Sequence, residues 1–457
     1  MTLRNRILKA HPATLVLASF LLAITTGTLL LMLPISTWSR TIPLIDALFT
    51  ATSAVCVTGL TVVDTGTCYT RFGQCVILAL IQIGGLGLMT ISVVLFRWIG
   101  KSISFRQRMV MQDLFAHTPR EDILGLVRST VFFTLGAEAL GAVLLSVLWY
   151  PELPMPTAIY TAVFHSISAF CNAGFSLFSD NLMQYSDSLL LNATVCALIV
   201  AGGIGFPVLY DLQSWFLGHR KGQHLRLSVQ TRTVLLTTLF LIVGGAVLFA
   251  FLEHRSMATA PSFRFRLLTS VFQSITCRTA GFNTVDIASL SEATLALMVF
   301  LMFIGASPGS CGGGVKTTTL ALIGAYTLSR VRRTRRVNMF RKSIPGETVN
   351  RSISLIMVSI GVISFVLFML LVGQPSGGHG PLGHHGSFLS YLFETVSAFG
   401  TVGLSMGVTP ELSTWSKVWI IFMMIIGRVG VLTFSYIVVG APASNGIEYS
   451  EESIMVG

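Results

Sequence analysis

DALFTATSAVCVTGL (residues 46–60) is the first of four related segments in this chain. The other three are TAVFHSISAFCNAGF (161–175), SVFQSITCRTAGF (270–282) and YLFETVSAFGTVGL (391–404). Each places a glycine after a Ser/Thr-rich stretch that is compatible with a helix, and long apolar runs flank each segment. Aligned on Gly59, Gly174, Gly281 and Gly403, the segments recur after 115, 107 and 122 residues. This spacing indicates four structural repeats.

The composition is that of a membrane protein. The chain has 457 residues, of which 53% are hydrophobic and only 11% are charged. A soluble domain carries about 25% charged residues. The net charge of +11 does not require a nucleic-acid partner, because lysine and arginine also set the topology of membrane proteins. We therefore predict a polytopic membrane protein that does not bind nucleic acid.

Eight apolar runs are long enough to cross a bilayer, which takes about 20 helical residues. They cover residues 12–34, 74–99, 123–149, 188–210, 232–253, 291–328, 351–373 and 415–440. The four segments lie between the members of successive pairs and are too short to span but too apolar for a solvated loop. Irregular backbone at membrane depth survives only where it is buried or lines a cavity. The predicted fold is an all-α polytopic membrane protein with four repeats of transmembrane helix, pore loop and transmembrane helix around one pseudo-four-fold pore.

The predicted repeats divide the whole chain. Their ranges are 1–100, 101–218, 219–342 and 343–457, and the last includes a carboxyl-terminal tail. With the amino terminus inside, nineteen Lys and Arg residues fall on the cytoplasmic side and six on the outer side. This bias predicts that both termini are cytoplasmic. The basic run 330–342 could bind anionic lipid or an acidic partner, or simply hold this topology.

The segment glycines predict a selectivity filter. Glycine adopts positive φ without steric cost, and a ring of backbone carbonyls can replace the water shell of an alkali cation. The carbonyls would come from the glycines and from the two residues before each of them. The predicted K⁺-binding residues are Val57, Thr58, Gly59, Asn172, Ala173, Gly174, Thr279, Ala280, Gly281, Thr401, Val402 and Gly403.

The third repeat predicts a gate. Its second helix is interrupted by IGASPGSCGGGVKTTT (304–319), which contains five glycines and Pro308 between Gly305 and Lys316. No straight helix tolerates that composition. We predict a flexible intramembrane loop over residues 305–317 that occludes the cavity, against the alternative of a passive kink. The predicted gate residues are Gly305, Gly309, Gly312, Gly313, Gly314, Lys316 and Arg428.

Charged residues within the spans suggest further roles. Lys316 and Arg428 could tune permeation or bind loop carbonyls, and Glu138 is a possible partner for them. Asp46 and Thr157 are predicted to cap pore helices. Four carboxylates follow the segment glycines and could either concentrate cations at the outer mouth or form turns. They are Asp64, Asp180, Asp286 and Glu411.

Other functional classes fit the sequence less well. GGGVKTT (312–318) resembles a phosphate-binding loop, but Val315 separates the last glycine from Lys316. An intramembrane hydrolase would need a Ser/His, paired Asp or HExxH set within the spans. Apart from His165 no part of such a set is evident, so we predict that the chain is not an enzyme. A receptor or scaffold would leave the four-fold repetition unexplained.

The four segments, the span pairs, the glycine-rich break and Arg428 together resemble the Trk/Ktr/HKT superfamily of potassium transporters. The resemblance covers nearly the whole chain and is closest to the KtrB membrane subunits of bacterial Ktr systems. It implies a homodimer in the bacterial inner membrane, sitting on a cytoplasmic KtrA-type nucleotide-binding ring. It also implies K⁺ as substrate, Na⁺ as a possible coupling ion and no cofactor in this chain. The expected function is K⁺ uptake, and the alternative is a Na⁺-permeable or Trk-type monovalent cation transporter of the same fold.

Overall fold

The structure is a computed structural model that describes residues 12–38, 42–87, 123–222, 226–254, 262–334, 336–373, 387–431 and 434. The Gly/His-rich outer loop (374–386), the carboxyl-terminal tail and the cytoplasmic segment 100–122 lie outside the described residues. Within the described ranges the chain is helical, apart from a short antiparallel hairpin of β1 (Val337–Met339) and β2 (Lys342–Ile344). The prediction of a predominantly α-helical chain is confirmed.

Each repeat begins with a long apolar helix and a shorter helix that carries the first part of a quoted segment. The long helices are α1 (Pro12–Leu31), α5 (Ile123–Trp149), α9 (Val229–Leu252) and α13 (Gly346–Val372). The shorter helices, here called pore helices, are α2 (Leu44–Val55), α6 (Met155–Phe170), α10 (Phe263–Thr276) and α14 (Ser387–Gly400). The pore helices are mostly buried, and each ends just before its segment glycine.

A second apolar helix follows each segment. These helices are α4 (Arg71–Leu86), which the short α3 (Thr65–Cys68) precedes, α7 (Leu189–Ile204), α11 (Glu292–Phe303) and α15 (Thr414–Val429). All four begin at a hydroxyl N-cap whose side chain accepts a backbone N–H of the first turn: Thr70, Ser188, Ser291 and Ser413. Such caps pair N–H groups that a helix start otherwise leaves unbonded.

Three of these second helices end at a left-handed glycine. The φ angles are +80° at Gly87, +97° at Gly205 and +93° at Gly430. At Gly205 the chain turns by 97° into α8 (Phe206–Arg220), which begins with Pro207. The predicted run 188–210 is therefore not one straight helix, since a left-handed glycine with a proline two residues later does not continue a helix. The predicted run 291–328 is also divided, into α11 and α12 (Thr317–Val331).

Three single helices among the described residues are long and apolar enough to cross a membrane: Val127–Trp149, Val229–Leu252 and Gly346–Val372. The bent pair α7 and α8 passes the same test taken together. Shorter apolar helices include Val16–Leu31, Arg71–Leu86 and Glu292–Phe303. These helices support a multi-pass membrane protein, although several of the predicted spans are shorter or bent.

The buried apolar residues form two main clusters. One joins α1 and α4–α7 with the end of α10, and the other joins α9, α11, α13, α14 and α15. Both clusters contain residues of α2, so the first pore helix packs against each of them. The four pore helices therefore lie at the centre of the molecule, surrounded by the longer helices.

Candidate functional site

The backbone of the four segments is strained in the same way. The segment glycines are left-handed, with φ of +94° at Gly59, +68° at Gly174, +78° at Gly281 and +91° at Gly403. Two residues earlier, a residue other than glycine is also left-handed in every segment: Val57 (56°), Asn172 (60°), Thr279 (69°) and Thr401 (50°). For β-branched residues this conformation is a genuine outlier. Strain that recurs at matching positions marks a functional backbone.

Hydrogen bonds tie the N–H side of each segment to its own pore helix. The N–H groups of Thr58, Ala173 and Val402 donate to Ser53, Ser168 and Ser397 carbonyls at 2.8, 2.7 and 2.8 Å, and that of Ala280 donates to Thr276 O at 3.0 Å. The hydroxyls of Ser53 and Ser397 also accept the N–H of Gly59 and Gly403, at 3.0 and 3.1 Å. The N–H groups of each segment are therefore bonded to the pore helix that precedes it.

The carbonyls of the same residues have no such partners. Within the described part of the chain, no N–H or O–H donates to the backbone oxygens of Val57, Thr58, Asn172, Ala173, Thr279, Ala280, Thr401 and Val402. All eight residues are fully buried. Buried backbone carbonyls are nearly always hydrogen-bonded in proteins. Unpaired carbonyls at this density can instead take a cation as their partner.

The four segments meet in a closed cycle. A Cβ atom built on each glycine would meet the carbonyl oxygen of the residue before another segment glycine. The distances are 2.4 Å from Gly59 to Ala173 O, 2.8 Å from Gly174 to Ala280 O, 2.4 Å from Gly281 to Val402 O and 2.1 Å from Gly403 to Thr58 O. All twelve predicted filter residues are thus brought together. Any side chain at these glycines would push against a backbone oxygen of the neighbouring segment.

A polar cup of about 300 Å³ lies on one side of this cycle. All four segment glycines line it, together with Asp64, Asp180 and Asp286. Asp64 and Asp286 also accept backbone N–H groups of their own turns, from Thr67 at 2.8 Å and Ala288 at 3.1 Å. Asp64 and Asp286 thus form turns, one of the two roles that the sequence suggested, and they also line the cup, whereas Glu411 is not among the lining residues.

The glycine-rich loop 304–316 lies on the other side of the cycle and is non-helical, as predicted. Its backbone bonds to α7, where Cys311 N–H donates to Gly202 O at 3.2 Å and Ser307 N–H to Gly203 O at 3.1 Å. The N–H of Gly313 donates to Thr401 Oγ1 of the fourth segment at 2.8 Å. The loop therefore reaches across from the second repeat to the fourth beneath the segments.

The two predicted basic residues both bind carbonyls of this region. Lys316 Nζ donates to Gly312 O at 2.8 Å. The Arg428 guanidinium donates to Cys311 O in the loop and to Gly84 O in α4. The prediction that these residues bind loop carbonyls is confirmed. Arg428 also connects the loop to the first repeat, a contact that the sequence did not suggest.

Two other expectations are corrected. The hydrogen bonds of the Glu138 carboxylate among the described residues are with Gln82 and Cys171, at 3.2 and 3.9 Å, and not with Lys316 or Arg428. The pore helices α2 and α6 begin after Pro43 and Pro154, so Asp46 and Thr157 are not their N-caps. The reason is that the fixed φ of proline already suits a helix start, which places the cap earlier in the chain.

Sequence reasoning missed several buried polar residues. Arg278, three residues before Gly281, is 6% exposed and its guanidinium reaches Thr238 Oγ1 at 3.4 Å. Each segment also has a phenylalanine nine or ten residues before its glycine: Phe49, Phe164, Phe272 and Phe393. A polar residue directly follows this aligned phenylalanine every time: Thr50, His165, Gln273 and Glu394. All four are buried. The alignment of the quoted segments contains this signal, since the residue after the phenylalanine is polar each time.

Comparison with known proteins identifies the family. The family model described as the cation transport protein TrkH matches residues 5–445. The chain belongs to the TrkH family. It is 40% identical to the Ktr system potassium uptake protein B of Vibrio alginolyticus, over 98% of this chain and 96% of the relative. Identity is 38% to the protein of the same name from Bacillus subtilis, over 98% and 97% of the two chains. The potassium/sodium uptake protein NtpJ of Enterococcus hirae is 37% identical, over 98% of each chain.

A solved member of the TrkH family has the same fold. The crystal structure of the potassium transporter TrkH from Vibrio parahaemolyticus superposes with a TM-score of 0.73 and 18% identity, over 95% of this chain and 86% of that one. The predicted resemblance to the Trk/Ktr/HKT superfamily is confirmed. The TrkH family and these relatives are transporters, which agrees with the choice of transport over hydrolysis made from the sequence.

Proposed function

We propose that this chain is the K⁺-translocating subunit of a bacterial potassium uptake system. K⁺ enters from the polar cup, passes through a ring of backbone carbonyls formed by four repeats around a pseudo-four-fold axis, and leaves past the loop 305–317. The observation that carries the proposal is the closed cycle of four segments whose eight buried carbonyls lack hydrogen-bond donors. The names of the Ktr relatives favour K⁺ as the ion.

The pore helices support a cation in preference to an anion. Helices α2, α6, α10 and α14 all end at the cycle, and a helix carries about half a negative charge at its carboxyl end. The three aspartates of the cup add negative charge at the entrance. Together they favour a cation both before and within the ring.

The loop 305–317 acts as a gate in this proposal. It lies directly below the segments, and its bonds to α7, Thr401 and Arg428 hold it in place. Opening would require it to exchange these bonds for others. The many glycines allow such a change of backbone at low steric cost.

Regulation and assembly are further parts of the proposal. By resemblance, a homodimer in the inner membrane, with cytoplasmic termini, binds a cytoplasmic KtrA-type nucleotide-binding ring, and Na⁺ is the coupling ion. The relatives named as parts of Ktr systems support a multi-component assembly. The chain itself would need no cofactor, and the ring would supply the nucleotide response.

A Na⁺-permeable transporter of the same fold is the second candidate. One relative with 37% identity is named as a potassium/sodium uptake protein. The segments also differ from one another, since only 57–59 and 401–403 combine valine, threonine and glycine. A ring of unlike segments gives the ion a less uniform set of ligands.

Growth rescue of a K⁺-uptake-deficient bacterium at low K⁺ tests the proposal. The chain is expressed with and without a KtrA-type partner, and with and without Na⁺. Rescue that requires both the partner and Na⁺ supports a Ktr-type system. If the protein reaches the membrane and no condition rescues growth, K⁺ uptake is excluded, and ²²Na⁺ uptake into the same cells then tests the second candidate.

A further inference from the structure

One position of the pore helices is polar in all four repeats and lies behind the ring. It directly follows the aligned phenylalanine and is occupied by Thr50, His165, Gln273 and Glu394. Each of these side chains is at most 1% exposed. A buried polar group usually has a hydrogen-bond partner, and three of the four, His165, Gln273 and Glu394, find theirs in the segment that follows the ring.

In the second and third repeats the partner lies in the loop that leaves the ring. His165 Nε2 lies 3.0 Å from Ser176 Oγ, two residues after Gly174. Gln273 Nε2 lies 3.5 Å from Thr284 Oγ1, three residues after Gly281. In each of these two repeats one hydroxyl therefore connects the pore helix to the loop that follows the segment glycine.

The fourth repeat has the same arrangement with a carboxylate. The Ser405 hydroxyl, two residues after Gly403, donates to Glu394 Oε1. Thr409 Oγ1 lies 2.9 Å from Glu394 Oε2 and 3.0 Å from Ser405 Oγ. Both carboxylate oxygens thus lie within hydrogen-bond distance of a hydroxyl, and such hydroxyls can donate to the ionised form.

The Glu394 carboxyl group is fully buried, and no basic side chain pairs with it among the described residues. Within the described residues Glu394 makes no salt bridge, and the recorded pair of this region joins Lys417 to Asp46. Ser405 and Thr409, which hold the carboxylate, also line the polar cup. The charge therefore lies one hydroxyl away from the space that a cation crosses before it reaches the ring.

We propose that Glu394 sets the K⁺ affinity at the outer end of the ring. The carboxylate acts as a positioning residue, since it fixes the loop 405–409, and as a buried charge without an ion-pair partner that attracts the cation. This makes the fourth segment electrostatically unlike the other three, which carry no acid at this position. The inference rests on the proposed K⁺ pathway, and it concerns how tightly that pathway holds the ion.

The test replaces the charge without changing the size of the side chain. Glu394→Gln retains an oxygen that can accept from the Ser405 hydroxyl, so the contact between the pore helix and the loop 405–409 is kept. Its KM for K⁺, measured by uptake into proteoliposomes with the KtrA-type partner, is expected to rise roughly tenfold with little change in the maximal rate. That factor corresponds to a unit charge on the order of 10 Å from the ion at an effective dielectric constant of about 20.

Moving the charge to the equivalent position of the third repeat provides the matched variant. Gln273→Glu is nearly isosteric, and in the Glu394→Gln background it is expected to restore most of the lost affinity. In the wild-type background it should lower the KM by a similar factor, which tests the proposal even if Glu394→Gln does not fold. A purely structural role of Glu394 predicts neither effect.

A binding measurement separates the inference from the proposed function. Wild-type protein in detergent is expected to be stabilised against heat by K⁺, and Glu394→Gln should need roughly ten times more K⁺ for the same shift. If the wild type transports K⁺ and the Glu394→Gln and Gln273→Glu variants both keep its KM, the inference is wrong and the K⁺ pathway stands. If the wild type neither transports K⁺ nor is stabilised by it, the proposed function is wrong and the inference with it.

Discussion

At the scale of the residue, the left-handed backbone of the four segments determines what each side chain can be. A Cβ on Gly281 would lie 2.4 Å from Val402 O, and its φ of +78° is one that L-residues rarely adopt. Thr279 and Thr401 carry the same strain without being glycine. The segments therefore hold their carbonyls in place at the expense of local stability, through bonds to the pore helices.

Gly281→Ser is expected to loosen K⁺ selectivity. The serine Cβ must displace Val402 O, and a left-handed conformation costs a side chain roughly 1–2 kcal/mol. That energy corresponds to roughly a tenfold change in an equilibrium constant. We expect the K⁺/Na⁺ uptake ratio of cells to fall by about that factor.

Gly222→Ser is the matched control for the change at Gly281. Gly222 is also left-handed, with φ +72°, but a Cβ there would meet nothing within 4 Å. It should carry the same backbone strain and keep wild-type selectivity. If Gly281→Ser and Gly222→Ser both keep the wild-type K⁺/Na⁺ uptake ratio, the four glycines do not shape an ion-binding ring.

Arg428→Ala is expected to increase K⁺ flux in the absence of a partner. The side chain holds Cys311 O in the loop and Gly84 O in α4. Hydrogen bonds from a charged group contribute about 1.5–3 kcal/mol, so loss of the loop contact should favour the open loop by about tenfold or more. Flux measured in proteoliposomes checks this, and Arg428→Lys, which keeps the charge, should lie between the two. Wild-type flux in both variants would make Arg428 a purely structural residue.

At the scale of the element, glycines let the second helices touch the ends of the pore helices. A Cβ on Gly84, Gly202 or Gly427 would lie 2.0, 1.8 or 2.0 Å from a pore-helix carbonyl, that of Val55, Phe170 or Phe399. The third repeat instead replaces this stretch of helix with the loop 304–316. Three second helices thus contact the ends of their pore helices directly, and the loop 304–316 takes that place in the third repeat.

Deletion of part of residues 309–314 is expected to raise K⁺ flux without a partner. The deleted residues make the contacts to Gly202 O and Thr401 Oγ1 that hold the loop below the ring. Cys311→Ser keeps the loop length and every backbone bond, so it should retain the low flux of the wild type. Partner-free uptake of ⁸⁶Rb⁺ into vesicles measures both variants. A deletion variant that inserts normally and still does not conduct would exclude the loop as the gate.

At the scale of the whole molecule, contacts between the first and the last repeat close the structure. Lys417 of α15 pairs with Asp46 of α2 at 2.7 Å, and the two side chains are 12% and 15% exposed. Helix α15 also packs against α2, and Gly403 meets Thr58 O across the same boundary. The two residues are 371 apart in sequence, so their contact depends on the tertiary structure.

Lys417→Ala is expected to destabilise the protein by about 2 kcal/mol, between the values for exposed and for buried ion pairs. Asp46→Ala should have a similar effect, and the double variant should lose little more than either single one. Thermal unfolding in detergent measures the three variants. Additive losses in the double variant would mean that the two residues act independently and that the ion pair does not close the ring.

Much of the architecture was predictable because it repeats. The pore helices, the second helices and the glycine-rich break are local patterns of hydropathy and of Gly or Pro, so they can be recognised without tertiary information. The apolar run 188–210 continues through the bend at Gly205, so its length alone does not show where the helix turns. The predictions of Asp46 and Thr157 as N-caps were wrong because each helix begins directly after a proline three residues earlier.

The sequence by itself determined that this protein is a helical membrane protein with four related segments and a glycine-rich, non-helical break in the third repeat. Apolar run length, glycine and proline act locally, so their consequences are visible in one dimension. Only the tertiary structure decided that Arg428 meets Cys311 O and Gly84 O, that Glu138 faces Gln82, and that Glu394 holds Ser405. The first two join residues of different repeats, and the third follows from the path of the chain as it leaves the ring. Such pairs depend on how helices pack, which no local pattern records.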